Sequence, residues 1–555
     1  MTIKKVKAIK IIPLGGVDEN GKNLYIVEID EDIFILDAGL KFPEDELLGI
    51  DVVIPDFKYL EENKDRVKAI FLSHGHEDAI GALPYLLQKV KAPVYGTELT
   101  IALAKSAMKA LPKLRFRNFH VVDEESVLSF KKIDVSFFRT THTIPDSVGI
   151  VLQTSEGAVV YTGDFKFDQS AAVGYQANLS HIAEVGEKGV LALLSDSSEA
   201  EHPGSTASDH LINEDIRHAF RSAEGRVVVA CVASNFIRLQ QVLDASFAVK
   251  RKVAIVGKEL EQVVSIGKKL NKLLIDDELL VSLKTANKLP DHEVTIIETG
   301  NLGEPIKSLQ QMANGHHPQV NIKEGDTVYI TTTSSPALET VMSKTLDMLY
   351  RAGAKVLTMN SNLFISGHGS QEDLKLMMNL LKPTYFIPVH GEYRLLIAHA
   401  KLAKEVGIPQ SNTFVISKGD VVEYKNNKMS VGNRVYAGNT LIDGLGVGDV
   451  GNIVLRDRKL LSEDGIFIVV VTLNRRSKTI VSGPEIISRG FVYVRESEDL
   501  IEQSSKVITT IVEKNLADPE FEWAKLKQDI RDKLNRYLFE QTKRRPMILP
   551  IIMEI

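Results

Sequence analysis

Along the first 200 residues the apolar positions come as short runs or strict alternation. Asn23-Leu24-Tyr25-Ile26-Val27-Glu28-Ile29 and Ile33-Phe34-Ile35-Leu36-Asp37-Ala38-Gly39 flank an acidic turn, which predicts a β-hairpin. Ala8-Ile9-Lys10-Ile11-Ile12-Pro13-Leu14 predicts a further strand, being too short and too interrupted for a secretory leader. Similar runs stand at 67–72, 92–96, 133–138 and 158–162, whereas helical periodicity is sparse and clearest over 99–111. Near residue 205 the texture changes. Ser208-Asp209-His210 reads as the cap of a helix running to about 222. Strands predicted at 226–232, 252–256, 293–298, 327–332 and 355–359 then alternate with helices at 235–249, 260–270 and 338–352, which implies a parallel, doubly wound sheet. Beyond 365 come a helix (371–381), a strand (385–390) and a glycine-rich turn or linker (443–449). Strands over 466–473, an extended segment ending at Arg495 and helices at 499–513 and 522–542 read as a small α+β domain. The apolar stretch 547–553 reads either as an assembly surface or as an edge strand of its own domain.

The length of 555 residues exceeds one core and implies roughly three domains. With 67 basic against 73 acidic side chains, the net charge of −6 does not advertise a nucleic-acid partner. Any such contact has to come from local patches: Lys113, Arg115 and Arg117 around Phe116, then Arg475-Arg476-Ser477-Lys478, then Lys543-Arg544-Arg545. Each of these also reads as an ordinary solvated face. No apolar run approaches the ~18 residues of a membrane span. The single cysteine, Cys231, lies in a strand-like run, where a small buried core residue is expected; with no disulfide available, a cytosolic protein is expected too.

The chemistry concentrates in Ser73-His74-Gly75-His76-Glu77-Asp78-Ala79, directly after the apolar run 67–72. Zinc and manganese favour imidazole and carboxylate ligands, and His74 and His76 on a loop leaving a strand can face one ion, with Gly75 expected to let the backbone turn. His142, Asp164 and His390 each close another apolar run, the placement a rigid preorganised site requires. Taken singly, each of these histidines reads as an ordinary core or surface residue; taken together they read as a metal site.

At these residues the chain resembles the metallo-β-lactamase superfamily, whose signature is His-x-His-x-Asp-His. More narrowly it is similar to the β-CASP nucleases and, among them, to bacterial ribonuclease J, in its second, low-activity form. The blocks that carry the resemblance are Phe42-Pro43-Glu44-Asp45-Glu46-Leu47-Leu48-Gly49-Ile50-Asp51, Thr162-Gly163-Asp164-Phe165-Lys166-Phe167-Asp168, Ser366-Gly367-His368-Gly369, His390-Gly391-Glu392-Tyr393-Arg394 and Lys543-Arg544-Arg545-Pro546-Met547-Ile548-Leu549-Pro550. The resemblance implies an α/β fold: a metallo-β-lactamase αββα sandwich (1–207 and 365–440), an inserted β-CASP doubly wound domain (208–364), a linker (441–455) and a C-terminal α+β assembly domain (456–555).

It also implies roles. His74, His76 and His142 would hold a first metal; Asp164 would bridge to a second, held by Asp78 and His390, where Ala79 replaces the signature's last histidine. His368 would be the general acid, and Asp196 the acidic residue that orients a histidine; Asp78, His368 and Asp196 form the expected catalytic set. Ser234 and Asn235, at a strand-to-helix turn, and Phe364, Ile365, Ser366, Gly367, His368 and Gly369 would receive the 5′ phosphate of RNA. An N-cap and a plain glycine turn are the alternative readings of those two segments. Phe364 stands where the family's active paralogue carries a histidine. Two divalent sites, zinc or manganese, are expected, the second weak or empty. The implied activity is metal-dependent 5′-to-3′ exonuclease cleavage of single-stranded RNA, with endonuclease action besides, in mRNA decay and rRNA maturation. The alternative is a non-catalytic RNA-binding subunit stabilising a complex with the active paralogue. Expected partners are RNA and that paralogue, in a homodimer or heteromer through the C-terminal domain; no membrane is expected.

Overall fold

A computed structural model describes residues 5–43, 47–111, 113–172, 174–299, 305–331, 339–358, 365–444, 446–474, 476–493 and 497–555. It resolves into two compact units, one of Met1–Lys41 with Ile54–Asn439, the other of Phe42–Val53 with Thr440–Ile555.

The first unit is built on two sheets. The predicted hairpin forms between Leu24–Ile29 and Asp32–Leu36. It lies mid-way in an eight-stranded sheet whose order runs Lys428–Val431, Val422–Lys425, Ala8–Gly15, Leu24–Ile29, Asp32–Leu36, Val67–Phe71, Val94–Gly96, Phe119–Val121. The second sheet orders Tyr385–Val389, Val190–Asp196, Gly157–Tyr161, Val148–Thr154, Asp134–Arg139, Val127–Ser129. Val27, Phe34, Leu36 and Phe71 of the first sheet share one core with Phe137, Ile150, Tyr161 and Ile387 of the second. On the far face of the second sheet Val160, Leu193 and Phe386 pack with Ile182, Leu374, Met377 and Leu402 from helices Leu179–Glu187, Gln371–Leu381 and Tyr393–Glu405. Both faces of these strands are therefore covered, which is why they read as apolar runs rather than alternating ones. The result is the expected αββα sandwich.

Val190–Asp196 and Tyr385–Val389 are parallel neighbours in the sheet. Between them in sequence stands a separate all-parallel sheet, ordered Lys252–Val256, Val294–Glu298, Val227–Ala230, Thr327–Ile330, Lys355–Thr358. This is the doubly wound insertion, and Cys231 is buried within it. Asp209 stands at the N-cap of helix His210–Arg221 but makes no side-chain cap. Its carboxylate instead takes Lys166 Nζ at 2.6 Å and Arg238 at 3.4 Å, both cations being buried. Two buried cations are a stronger claim on a carboxylate than an exposed helix end.

In the second unit Ile466–Asn474 pairs antiparallel with Thr479–Arg489 and in parallel with Met547–Glu554. Alternate residues Phe467, Val469, Val471 and Leu473 face helices Glu498–Leu516 and Trp523–Thr542. The apolar C-terminal stretch is thus an edge strand of its own domain, with Ile548 inward and Leu549, Ile551 and Met553 exposed. The span expected to be linker holds a short hairpin, Asn439–Asp443 with Gly446–Val447, and the start of helix Asn452–Asp464, which buries none of its residues. Arg475 of one basic patch, and the end of the extended segment at Arg495, lie outside the described residues.

Candidate metal centre

Strand Val67–Phe71 is buried mid-sheet and delivers the motif at its C-terminal end. The turn there is fixed by Asp37, which ends strand Asp32–Leu36 in a left-handed conformation (φ 60°). Its carboxylate accepts Ser73 N–H, Ser73 Oγ–H and the Tyr161 hydroxyl, each at 2.7 Å. Because Ser73 donates to Asp37, its oxygen is left to accept from His74 Nδ1 at 2.9 Å. Neutral His74 is thereby the Nδ1–H tautomer, with its Nε2 lone pair pointing inward. Gly75 is not in the left-handed region; a side chain there would meet Leu103 and Ile144, so glycine supplies space rather than a turn.

The same argument fixes two more rings. His142 Nδ1 donates to Gly367 O at 2.7 Å and His76 Nε2 to Ser234 O at 3.3 Å. The remaining nitrogens, His142 Nε2 and His76 Nδ1, then face each other 3.0 Å apart. Two lone pairs at that distance repel unless a cation or proton stands between them. Burial holds both rings neutral, with the nearby histidines adding to it: His76 is lowered to about 3 and His142 falls well below its ordinary value.

A third group shows the same lack. His74 Nε2, Asp78 Oδ1 and Asp164 Oδ2 are buried and have no hydrogen-bond partner. They lie 3.6 Å (His74–Asp78) and 3.4 Å (His74–Asp164) apart. Burial alone would lower His74, but the Asp164 and Asp78 carboxylates outweigh it and lift it to about 8, so at neutral pH the Nε2 lone pair is free for a cation once its proton is displaced. His74, His76 and His142 have ligating atoms within 4.8 Å of one another, as do His74, Asp78 and Asp164. Inward nitrogens and carboxylate oxygens with no other partner fit a divalent ion of the zinc or manganese kind.

The other side of the cluster is arranged differently. His390 follows strand Tyr385–Val389 and is itself left-handed (φ 51°), a strained backbone that places its ring between two carboxylates. Its Nδ1 lies 2.6 Å from Asp164 Oδ1 and its Nε2 3.5 Å from Asp78 Oδ2. Burial opposes the proton on His390, but Asp164 and its neighbours outweigh it and raise the ring to about 10. Here the donor groups pair with one another, an imidazolium between carboxylates. Ala79, fully buried on the short helix Glu77–Ile80, contributes only a methyl.

His368 Nδ1 donates to Asp196 Oδ2 at 2.7 Å, and its ring centroid is 5.3 Å from that of His142 and 5.4 Å from that of His390. Burial lowers His368, yet the Asp196 carboxylate prevails and raises it to about 9. Asp196 lies 3.8 Å from His390 as well. Ser366 donates to Glu199 and accepts His368 N–H. Gly367 has no room for a Cβ, which would meet His142 at 2.7 Å; Gly369 is likewise closed in by Asp373, and Ile365 is buried. Asn235 caps helix Phe236–Ala248 by accepting Arg238 N–H, so its side-chain oxygen is engaged, and Ser234 meets the centre through its carbonyl. Phe364 lies outside the described residues. The structure thus gathers His74, His76, Asp78, His142, Asp164, Asp196, His368 and His390 in one cluster, with the 234–235 and 365–369 segments against it. The sequence reading passed over Asp37, Tyr161, Glu199 and Asn23, whose amide lies beside Asp78 and His390.

Family models match in series: the metallo-β-lactamase superfamily over 17–208, the ribonuclease J β-CASP domain over 224–349, the Zn-dependent metallo-hydrolase RNA specificity domain over 355–414 and the ribonuclease J C-terminal domain over 453–555. Ribonuclease J2 of Bacillus subtilis (strain 168) is 53% identical over 555 residues, the whole of both chains. The chain belongs to the ribonuclease J family. Ribonuclease J 2 of Staphylococcus epidermidis and of Staphylococcus aureus are each 51% identical over 552 residues, covering all of this chain and 99% of each relative. A solved structure of a protein of unknown function from Enterococcus faecalis V583 shares the fold alone, with a TM-score of 0.50 at 14% identity over 75% of this chain and all of that one. As a ribonuclease J family member the chain is a hydrolytic, metal-binding ribonuclease of the metallo-β-lactamase and β-CASP type. Among the described residues no helix is long and apolar enough to cross a membrane.

Proposed function

We propose that this chain is a weak 5′-to-3′ exoribonuclease on single-stranded RNA, with endonuclease action besides, in mRNA decay and rRNA maturation in the cytoplasm. Its second metal site is impaired by Ala79. The observation that carries this reading is the asymmetry of the cluster. At one locus His74, His76, His142 and Asp164 present acceptors with no other partner; at the other, His390 is already taken by Asp164 and Asp78. An ion at the second locus has to displace those pairings and finds no nitrogen at position 79.

Bound divalent ions supply an activated water and neutralise charge on the phosphodiester. The chain's own groups do the rest. Ser234, the amide end of Asn235, Ser366 and the backbone at Gly367 and Gly369 receive the RNA 5′ phosphate, with Ser366 turning its hydroxyl from Glu199 to the ligand. His368, held charged by Asp196, gives the proton of its free nitrogen to the leaving 3′ oxygen.

Ala79→His tests the reading. Second-shell partners alone are worth about 10–100-fold in metal affinity, so restoring a ligand should tighten the second manganese at least ~10-fold and raise the rate of RNA degradation with it. A variant that binds no more metal and cuts no faster refutes the role given to Ala79. The non-catalytic subunit reading shares the impaired site as its support. It prevails if Asp78→Ala and His76→Ala leave the residual RNA degradation of the purified chain unchanged. Assembly, as a homodimer or with a more active paralogue, is assigned to the C-terminal domain, whose edge strand leaves Leu549, Ile551 and Met553 exposed.

A further inference from the structure

Asn23 is fully buried beside the second locus. Its side-chain nitrogen lies 3.4 Å from Asp78 Oδ2 and 3.5 Å from His390 Nδ1. Its backbone is tied to the same loop, with Asn23 N–H donating to Asp78 O at 2.9 Å and Asn23 O accepting Gly39 N–H at 2.8 Å. The far end of the amide is held as well. The Tyr25 hydroxyl lies 3.1 Å from Asn23 Oδ1 and 3.0 Å from Gly16 O, which also takes His390 N–H at 2.6 Å. Asp78 decides which end of the amide faces the cluster: a carboxylate only accepts, so the N–H turns to Asp78 and the oxygen to the Tyr25 side. Gly16 makes the room, in a left-handed turn (φ +73°) where a Cβ would fall 2.1 Å from the Tyr25 hydroxyl oxygen and 2.5 Å from Asn23 Oδ1.

Asp78 has two tasks that conflict. Its Oδ1 faces His74 at the first locus and its Oδ2 faces His390 at the second. A carboxylate free to rotate would serve one locus at the expense of the other, and no ligand at position 79 restrains it.

We propose that Asn23 is a positioning residue for the second metal site: its amide N–H holds Asp78 Oδ2 toward His390 in a chain with only a methyl at position 79. This rests on the reading that Asp78 and His390 hold a second ion. Aligning an existing ligand is the form of support that partners behind metal ligands give elsewhere, and it carries about 10–100-fold in affinity.

The experiment is manganese binding to the purified full-length chain, followed by calorimetry and by the electron paramagnetic resonance of the bound ion. Asn23→Ala should weaken the second manganese equivalent about 10-fold and leave the first within about twofold. Tyr25→Phe keeps the amide but removes the hydroxyl beside its oxygen, and should weaken the second equivalent in the same direction by less; it also serves if Asn23→Ala folds poorly. In the Ala79→His background the Asn23→Ala loss should shrink, because the added ligand now restrains the site. A second equivalent in the parent chain that Asn23→Ala and Tyr25→Phe leave untouched overturns the proposal and spares the two-ion reading. Equal weakening of both equivalents also overturns it, as that is what a structural role gives. A parent chain with no second equivalent at millimolar manganese overturns both.

Discussion

Asp37→Asn is the sharpest test of how the first metal locus is built, because it changes one atom and reverses a chain of protons. As a carboxylate, Asp37 accepts three hydrogen bonds, two of them from Ser73. An amide in its place keeps its oxygen for Ser73 N–H and turns an N–H toward Ser73 Oγ. Ser73 must then accept from residue 37 and donate onward, so His74 Nδ1 becomes the acceptor and Nε2 carries the hydrogen. That hydrogen points at Asp164 and Asp78, where a ligand lone pair stood. Hydrogen bonds to a charged group contribute about 1.5–3 kcal/mol each, enough to hold the wrong tautomer as firmly as the right one. Removing the orienting partner of a ligand costs about 10–100-fold in metal affinity, which is ~1.4–2.7 kcal/mol. The metal-free protein should change less, because burial already pushes the Asp37 carboxyl up to about 6 and the amide sheds the cost of burying that charge. The assay is manganese or zinc titration with thermal melting in chelator and in metal. The expected result is a large loss of metal-induced stabilisation with a small shift in chelator. Equal metal affinity in Asp37→Asn and parent would refute the proton relay through Ser73.

Two further outcomes follow from other parts of the fold. Buried His399, whose Nδ1 meets Ser197 Oγ at 3.0 Å, is lowered to about 3 by burial. The unfolded imidazole titrates near 6.5, so below that pH the unfolded chain binds more protons and stability falls, by about 2 kcal/mol at pH 5 from this group. His399→Gln should flatten the change in urea midpoint between pH 7 and pH 5, and an unaltered slope would exclude His399 as its source. Ile551→Lys alters an exposed edge position and should leave the domain folded while reducing self-association in sedimentation. An unchanged mass would remove this strand edge from the interface.

The candidate ligands were legible in the sequence for a physical reason. His74, His142, Asp164 and His390 each follow a buried apolar strand, so the strand pattern locates them before any geometry is known. Their supports were not legible. Asp37 and Asn23 sit at the ends of the hairpin strands like any turn residue, and their meaning arises only when a neighbouring strand brings Ser73 or Asp78 against them. Ser234 and Gly367 act through backbone carbonyls, which no residue type announces. Asp209 carried a capping signal that two buried cations overrode, and the C-terminal edge strand could not be told from an assembly surface because both need the same apolar residues.

The adjacency of Val190–Asp196 and Tyr385–Val389, with a whole domain inserted between them, has a consequence for the order of events at the ribosome. His390 is 226 positions beyond Asp164, its partner at 2.6 Å. At about 5–20 residues per second, roughly 10–45 s separate the synthesis of the two. Through that interval the nascent chain holds His74, His76, Asp78, His142 and Asp164 but lacks His390, and for most of it His368 as well, so metal can be gathered early while cleavage waits for the insertion to be made. The architecture places a delay between acquiring an ion and becoming a nuclease in a compartment crowded with the RNA being translated.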